Sequence, residues 1–404
     1  MMKPIPYGRQ EITASDIQAV TSVLTSDYLT QGPNIKAFED AFAAYIGAKY
    51  AVAVSNGTAA LHLAAMAAGV KPGDRVITTP ITFAASANCV RYCGGEVVFA
   101  DIDPDTFLLD INKVRALLEQ HPRNTFQGII PVDFAGYPVD MEAFRTLADE
   151  YGMWIIEDAC HAPGAWFTDS KGVRQMAGNG VYADLAIYSF HPVKHIAAGE
   201  GGMITTNDET LYKKLLTLRT HGITKNQNDF SNSLEMATGV PGMETGTFPG
   251  WYMEMQDLGF NYRLTDFQAA LGLSQLQRAD EGLMRRVEIA RVYDQAFQHN
   301  DKIECQQLQL KERDLEHAYH LYVIKVADRL GLYNYLKEKN IYAQVHYFPT
   351  HLMPYYRQQG WKPGDFPLAE KYYSQCLSLP MFPSLTEKEQ TFVIDQINQF
   401  LTSK

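Results

Sequence analysis

Leu185-Ala186-Ile187-Tyr188-Ser189-Phe190 is a short apolar run. After it come His191-Pro192-Val193-Lys194-His195, the glycine-rich Gly199-Glu200-Gly201-Gly202, and a second apolar run, Met203-Ile204-Thr205-Thr206. Runs of this length, rich in β-branched and aromatic residues and punctuated by Pro and Gly, read as buried strands joined by a turn. Lys194 sits in that turn. Held by Pro192 on one side and flexible backbone on the other, it can lose its proton and attack a carbonyl, as a Schiff-base lysine does. A basic residue in a plain strand-to-strand loop is the simpler reading, and only partners elsewhere in the chain decide between the two.

Outward from this stretch the chain alternates. Strand-like runs at Ala51–Val54, Val76–Thr79, Val97–Ile102, Ile129–Asp133 and Trp154–Glu157 precede it, separated by helix-period segments at Ala59–Ala68, Ala84–Cys93, Ile111–Glu119 and Met141–Tyr151. Such alternation predicts an α/β domain with a largely parallel sheet covered on both faces, and functional residues at the carboxyl ends of its strands. Upstream lie an arm with Tyr7-Gly8-Arg9-Gln10, a helix over Ala14 to Thr25 with Ser15 as a cap, and a helix around Ile35 to Ile46. Downstream, Lys225 to Trp251 has no clear period and reads as a long loop or insertion. A single long helix from about Phe267 to His299 then leads to a smaller α+β unit. Its signals are strands at Tyr319–Val326 and Tyr342–His346, a helix around Leu330–Lys339, and a last helix Glu387–Leu401 capped by Thr386. The expected division is residues 1–266 and 267–404.

The bounds agree with a globular enzyme. A length of 404 residues suits two domains, and 46% hydrophobic with 20% charged residues is ordinary for a globular chain. The net charge of −11 argues against a nucleic-acid or anionic-membrane surface, so any phosphate site must rest on local positive field. The five cysteines form no CxxC pair, which points to neither a disulfide framework nor a zinc site. Met1 to Pro6 carry no leader pattern, and the nearly apolar run Ala59 to Val70 is too short to cross a bilayer. A cytoplasmic protein is expected.

Three stretches place polar groups just after strands. In Val54-Ser55-Asn56-Gly57-Thr58-Ala59 a strand turns into an alanine-rich helix, leaving free N–H groups and the Thr58 hydroxyl for a phosphate, or simply a capped helix that binds nothing. In Ile156-Glu157-Asp158-Ala159-Cys160-His161 two acids end a buried strand. Asp158 there needs a cation above it, such as a protonated pyridine, unless it only caps the next turn. Phe83, in Thr82-Phe83-Ala84, stands at a strand-to-helix turn where it can stack on a heteroaromatic ring or belong to the core.

In this order and spacing, Asn56-Gly57-Thr58, Thr82-Phe83, Glu157-Asp158-Ala159-Cys160-His161, Ser189-Phe190 with Lys194, Gly199-Glu200-Gly201-Gly202 and Gly259-Phe260-Asn261-Tyr262-Arg263 resemble the DegT/StrS family of sugar aminotransferases. The resemblance runs from about Tyr7 to the carboxyl end. It implies the aspartate-aminotransferase fold (fold type I), a mostly parallel seven-stranded sheet, and pyridoxal phosphate as cofactor. It also implies roles: Lys194 holds the cofactor and shuttles a proton, and Asp158 keeps the ring nitrogen protonated. Phe83 stacks on the ring, Gly57, Thr58 and Ser189 hold the phosphate, and His161 lies near the ring hydroxyl. Asn261 would reach the phosphate of a neighbouring subunit, implying a homodimer with shared sites.

Phe190-His191-Pro192-Val193-Lys194, Trp251 to Arg263 and Gln344 to Thr350 are similar to the PseC type within that family. That similarity implies amination of the C4 ketone of a UDP-linked 4-keto-6-deoxy-N-acetylhexosamine by L-glutamate, on the route to pseudaminic acid. His346, Arg263 and Lys225 are the candidates for the UDP diphosphate, each with a structural reading beside it. Other 3- or 4-keto sugars are the alternative, followed by a non-catalytic cofactor-binding regulator. A dehydrase is disfavoured, because that branch carries His where Lys194 stands. His191 is read as structural.

Overall fold

The computed structural model describes residues 3–306 and 314–402. All seven expected strands meet in one sheet: β1 (Tyr50–Val54), β2 (Arg75–Thr78), β3 (Glu96–Phe99), β4 (Gly128–Ile130), β5 (Trp154–Asp158), β6 (Leu185–Ser189) and β7 (Gly202–Thr206). Their order across the sheet is β1-β7-β6-β5-β4-β2-β3. Only β7 runs antiparallel, to both its neighbours. The other neighbours are parallel, as fold-type-I aminotransferases require.

The inverted strand matters for the site. Gly202, at the start of β7, pairs with Val54 at the end of β1 and with Ser189 at the end of β6. A Cβ on Gly202 would lie 2.5 Å from the Asn56 carbonyl oxygen, so only glycine lets the three strand ends close up. The helix that follows β1, Gly57–Ala67, is buried along nearly its whole length. Its alanines let it lie flat against the sheet, where a polar face would have no solvent to meet.

Several local expectations change. The first helix spans Ala14–Leu24 and is capped by Thr13, not Ser15: Thr13 and Asp16 form a capping box. Asp16 is fully buried because it also accepts from Ser274 (2.7 Å), Gln275 (2.8 Å) and Arg278 (2.7 Å). That network explains why the long helix expected from Phe267 to His299 is two, Asp266–Leu276 and Ala279–Phe297. At the junction Arg278 leaves helical geometry and turns back to Asp16 and the Glu11 carbonyl. No Gly or Pro marks the break.

The strand expected at Tyr342–His346 is reduced to Ile341–Tyr342, paired in parallel with Ile5–Pro6 of the arm. Beyond it Gln344 makes only an isolated bridge to Ser378, and the chain runs on toward the sheet. The loop from Lys225 to Trp251 has some order of its own: a helix Leu234–Thr238 and an aromatic cluster in which Phe230 lies 4.9 Å from Phe248 and 5.0 Å from Tyr252. The smaller unit carries a three-stranded antiparallel sheet from Glu304–Cys305, Tyr322–Lys325 and Cys376–Leu379. Cys376–Leu379 escapes sequence reading because it is buried on both faces and shows no alternation.

A second hydrophobic cluster, with Ile289, Tyr293, Ile324, Leu336, Val393 and Ile397, lies under the helices Ala279–Phe297 and Glu387–Thr402, and Ile5 of the arm joins it. Each such aliphatic side chain contributes about 1.5–3 kcal/mol when buried. Thr386 and Glu389 cap the last helix as expected. Among the described residues no helix is long and apolar enough to cross a membrane.

Candidate active site

At the carboxyl ends of β1, β5 and β6 lies a cavity of about 570 Å³. Its floor comes from the strand ends. Asp158, the last residue of β5, is 5% exposed, accepts a hydrogen bond from the Ser86 hydroxyl at 2.6 Å, and takes the Cys160 amide at 3.2 Å. Ser86 in turn lies 2.8 Å from the Thr82 hydroxyl, so the start of the helix Ala85–Tyr92 orients the acid. Lys194 follows β6 in a tight turn closed by its own amide on the His191 carbonyl at 2.8 Å. Its amine has no hydrogen-bond partner among the described residues. Desolvation by the cavity walls pulls its pKa below the ordinary lysine value, against the opposite pull of Cys160 and Asp158.

Between these groups the helix Gly57–Ala67 points its N-terminus at the cavity. Asn56 caps it by accepting from the Ala59 amide at 2.8 Å. The amides of Gly57 and Thr58 and the Thr58 hydroxyl keep no partner among the described residues, which is what an anion needs. A Cβ on Gly57 would stand 2.9 Å from the Ser189 Cβ and 3.5 Å from the Cys160 sulfur, so backbone and hydroxyls share one narrow cradle. Phe83 lines the same cavity with 62% of its surface exposed, a large apolar face left for something flat to cover.

His161 is buried, and its tautomer follows from its contacts. The Ala135 amide donates to its Nδ1 at 3.2 Å, so in the neutral ring the proton sits on Nε2, facing the Tyr347 hydroxyl at 3.3 Å. Burial, and then the charge of Lys194, push its pKa well below the ordinary value, so it stays neutral. His320 and His346 behave alike. Burial takes His346 down to about 3, while its Nδ1 lies 2.9 Å from the Ser378 hydroxyl. The His320 ring packs at a tilt against the His161 ring, 4.3 Å between centroids. The buried Arg286 donates to the backbone oxygens of Tyr319, His320 and Met381 and so fixes the segment that presents this imidazole.

Of the residues singled out in the sequence, Gly57, Thr58, Phe83, Asp158, His161, Ser189, Lys194 and His346 line this cavity together. Asn261, Arg263 and Lys225 do not. Asn261 is exposed and bridges to Thr220, Arg263 bridges to Val54, and Lys225 is exposed in the loop. His191, read as structural, does line the cavity. So do four residues that sequence reasoning passed over: Tyr7, Ser86, His320 and Tyr347. Ser86 had a signal, the Thr82/Ser86 pair at helical spacing. Tyr7 had none, since its place depends on the arm crossing the molecule, with its carbonyl bound by the Met381 amide at 2.9 Å.

Three likenesses bear on this arrangement. The chain is 39% identical to the Spore coat polysaccharide biosynthesis protein SpsC of Bacillus subtilis, over 98% of this chain and 97% of that protein. It is 34% identical to a UDP-4-amino-4,6-dideoxy-N-acetyl-beta-L-altrosamine transaminase of Campylobacter jejuni, over 98% and 97%. The solved structure of Helicobacter pylori PseC, an aminotransferase involved in the biosynthesis of pseudoaminic acid, superposes with a TM-score of 0.85 at 29% identity, covering 100% of both chains. With residues 10–398 matching the family's sequence profile as well, the chain belongs to the DegT/DnrJ/EryC1/StrS aminotransferase family.

Proposed function

We propose that this chain transfers the amino group of L-glutamate to the C4 ketone of a UDP-linked 4-keto-6-deoxy-N-acetylhexosamine, in the cytoplasm, on a route to pseudaminic acid. As a member of its family it is a pyridoxal-phosphate-dependent sugar aminotransferase. The observation that carries the reading is one cavity holding a partnerless amine at Lys194, a buried carboxylate at Asp158 and an open helix N-terminus at Gly57. A carboxylate desolvated in this way calls for a cation above it, and the partnerless amides call for an anion. The cofactor's ring and phosphate meet both demands.

When bound, pyridoxal phosphate supplies an aldehyde to carry the amino group and a protonated ring to draw off electrons. The chain does the rest. Thr58, Ser189 and the amides of Gly57 and Thr58 hold the phosphate, Asp158 holds the ring N–H, Phe83 covers one face, and His161 stands at the ring hydroxyl. Lys194 takes the proton from the α-carbon of glutamate and delivers one to C4 of the sugar, a duty its lowered pKa suits. Two half-reactions of this kind give ping-pong kinetics. His346 is retained as a sugar-nucleotide contact. Arg263 and Lys225 serve only if an assembly brings them to a second copy's cavity.

The same proposal divides the chain at about residues 266 and 267, and makes the working unit a homodimer with shared sites. Asn261 is exposed and does not line its own cavity, and Trp251 and Leu258 nearby are 74% and 76% exposed, surfaces that a second copy would cover. A mixture of Lys194→Ala and Asn261→Ala subunits then recovers activity through hybrid sites; no recovery, with exchange verified, removes the shared site.

The higher identity to SpsC favours a second reading, another nucleotide-linked 3- or 4-keto sugar. Purified protein given pyridoxal phosphate should turn yellow and be bleached by glutamate, and a panel of UDP- and dTDP-linked keto sugars then decides the substrate. No colour would sink the function altogether. Amination of dTDP sugars alone moves it to the second reading.

A further inference from the structure

Behind Asp158 lies a second pair of acids that the proposed chemistry does not use. Asp133 follows β4 and is fully buried; Glu157, the penultimate residue of β5, is 3% exposed. One oxygen of Asp133 accepts the Val139 amide at 2.8 Å, and one oxygen of Glu157 accepts the Gly178 amide at 2.9 Å. The remaining Asp133 oxygen, Oδ2, is buried and finds no donor among the described residues, and the acid beside it is Glu157, whose carboxyl acts on Asp133 through its charge and a carboxyl–carboxyl contact. Two carboxylates have only acceptors, so a hydrogen bond between the pair would require a proton on one of them. Among the described residues no Lys or Arg forms an ion pair with either acid. The titratable groups that face it are Asp158 and the Tyr188 phenol, with Cys160 and Lys194 beyond Asp158. The Asp133 amide also donates to the Asp158 carbonyl at 3.1 Å, which ties the pair to the acid in front of it.

We propose that Asp133 and Glu157 share one proton and hold a single negative charge behind Asp158, acting as positioning residues that strengthen the grip of Asp158 on a protonated ring nitrogen. Two full charges there would be prohibitive in a desolvated site, whereas one is held by two backbone amides and the shared proton. A negative charge at the back of Asp158 makes a cation at its front more favourable, because little water intervenes to screen it. Burial pushes the Glu157 carboxyl up to about 7 and Asp133 well above its ordinary range, consistent with one proton retained above neutral pH. The inference rests on the proposed function, which sets the ring nitrogen over Asp158.

Three variants of the holoenzyme test it: Asp133→Asn, Glu157→Gln and the double amide. Each single amide keeps the shape and donates the hydrogen bond that the shared proton now makes, leaving one negative charge; the double amide leaves none. At pH 8, infrared difference spectra of the wild type should show a protonated-carboxyl band that moves in D₂O and is lost in each single variant. Each single variant should bind pyridoxal phosphate within about twofold of wild type. The double amide should bind it about tenfold more weakly, the equivalent of one pKa unit on the ring nitrogen, with a matching loss of nitrogen protonation by ¹⁵N resonance of labelled cofactor.

A wild type without the band, or a band that survives in both single variants, overturns the shared proton. A double amide that binds the cofactor like wild type overturns the positioning role. Should the double amide misfold, as circular dichroism would show, the band and the single variants still decide the shared proton, and single variants that bind far more weakly than wild type overturn the positioning role. A wild type that binds no pyridoxal phosphate at all defeats the proposed function and the positioning role together, while the infrared arm still decides the pair.

Discussion

The floor of the cavity and its outer wall are assembled from different kinds of chain. Asp158, Lys194, Ser189 and Gly57 stand at the ends of strands in one continuous sheet, and each is placed by backbone pairing a few residues away. Tyr7, His320, His346 and Tyr347 come from the arm and the carboxyl-terminal third; Arg286 and Ser378 hold His320 and His346 from more than 30 residues away, and Met381 holds Tyr7 from the other end of the chain. The floor offers charge and open amides, while the wall offers neutral imidazoles and phenols. On the proposed function, the comparison teaches that chemistry common to the reaction would sit on the rigid sheet, whereas recognition of one sugar nucleotide would fall to segments whose geometry depends on long-range contacts.

If that contrast holds, the largest effect belongs to the floor. Lys194→Ala should lower the rate of amino transfer from glutamate to a keto sugar by about 10³-fold or more. Turnover within tenfold of wild type would break the comparison at its root.

Next in size is an acid effect spread over the buried imidazoles in and around the wall. Burial holds His346 and His317 at about 3, and His161, His195 and His320 shift in the same direction. Between about pH 3 and the ordinary histidine value of about 6.5, the unfolded chain binds protons on these rings that the folded chain refuses. Their contribution to stability is therefore full above that range and is lost as pH falls through it, at about 1.4 kcal/mol per pH unit for each imidazole. Glu157, raised to about 7, works the other way, holding its proton more tightly when folded and losing that contribution as pH rises from about 4.5 to 7. Asp133 and Asp294, also raised, act in the same sense as Glu157, and three acids do not offset five imidazoles. Urea midpoints should fall steadily from pH 7 to pH 5, and a flat profile would show that the buried imidazoles are not neutral.

A smaller effect is expected at the phosphate cradle. Gly57→Ala puts a methyl 2.9 Å from the Ser189 Cβ, and overpacking of that kind costs about 1–3 kcal/mol. Equilibrium dialysis should show weaker pyridoxal phosphate binding with little change in sugar KM at saturating cofactor. Unchanged cofactor affinity would mean that the cradle is looser than its contacts indicate. Smallest is Tyr347→Phe, which leaves the His161 Nε2–H without its acceptor and costs about 1 kcal/mol, under tenfold in kcat/KM. A KM change for the sugar larger than that for glutamate sharpens the division of labour; a loss confined to the glutamate half-reaction reverses it.

The difference between floor and wall also tracks what could be read in advance. Asp158 and Thr58 were legible because a carboxylate or an open helix N-terminus just after a buried strand is a local pattern with a local cause. His320 was not. It sits in an ordinary-looking run, Tyr319-His320-Leu321-Tyr322, and reaches the cavity only because Arg286 binds that backbone. The helix break at Gln277-Arg278 was hidden in the same way: its periodicity runs on, and only the buried Asp16 draws Arg278 out of register.

From sequence alone came the seven strands, the lysine turn, most of the residues that meet in the cavity, and a family that the profile match bears out. These rest on short-range rules, strand period, helix capping and the cost of burying charge, which act within a few residues. Tertiary structure alone decided that β7 runs backward to seal three strand ends, that Tyr7 crosses from the arm to the cavity, that Asn261, Arg263 and Lys225 stay outside it, and that Asp133 meets Glu157. Each of these depends on segments far apart in the chain being brought together, and a side chain's local sequence carries no record of the partner that packing will give it.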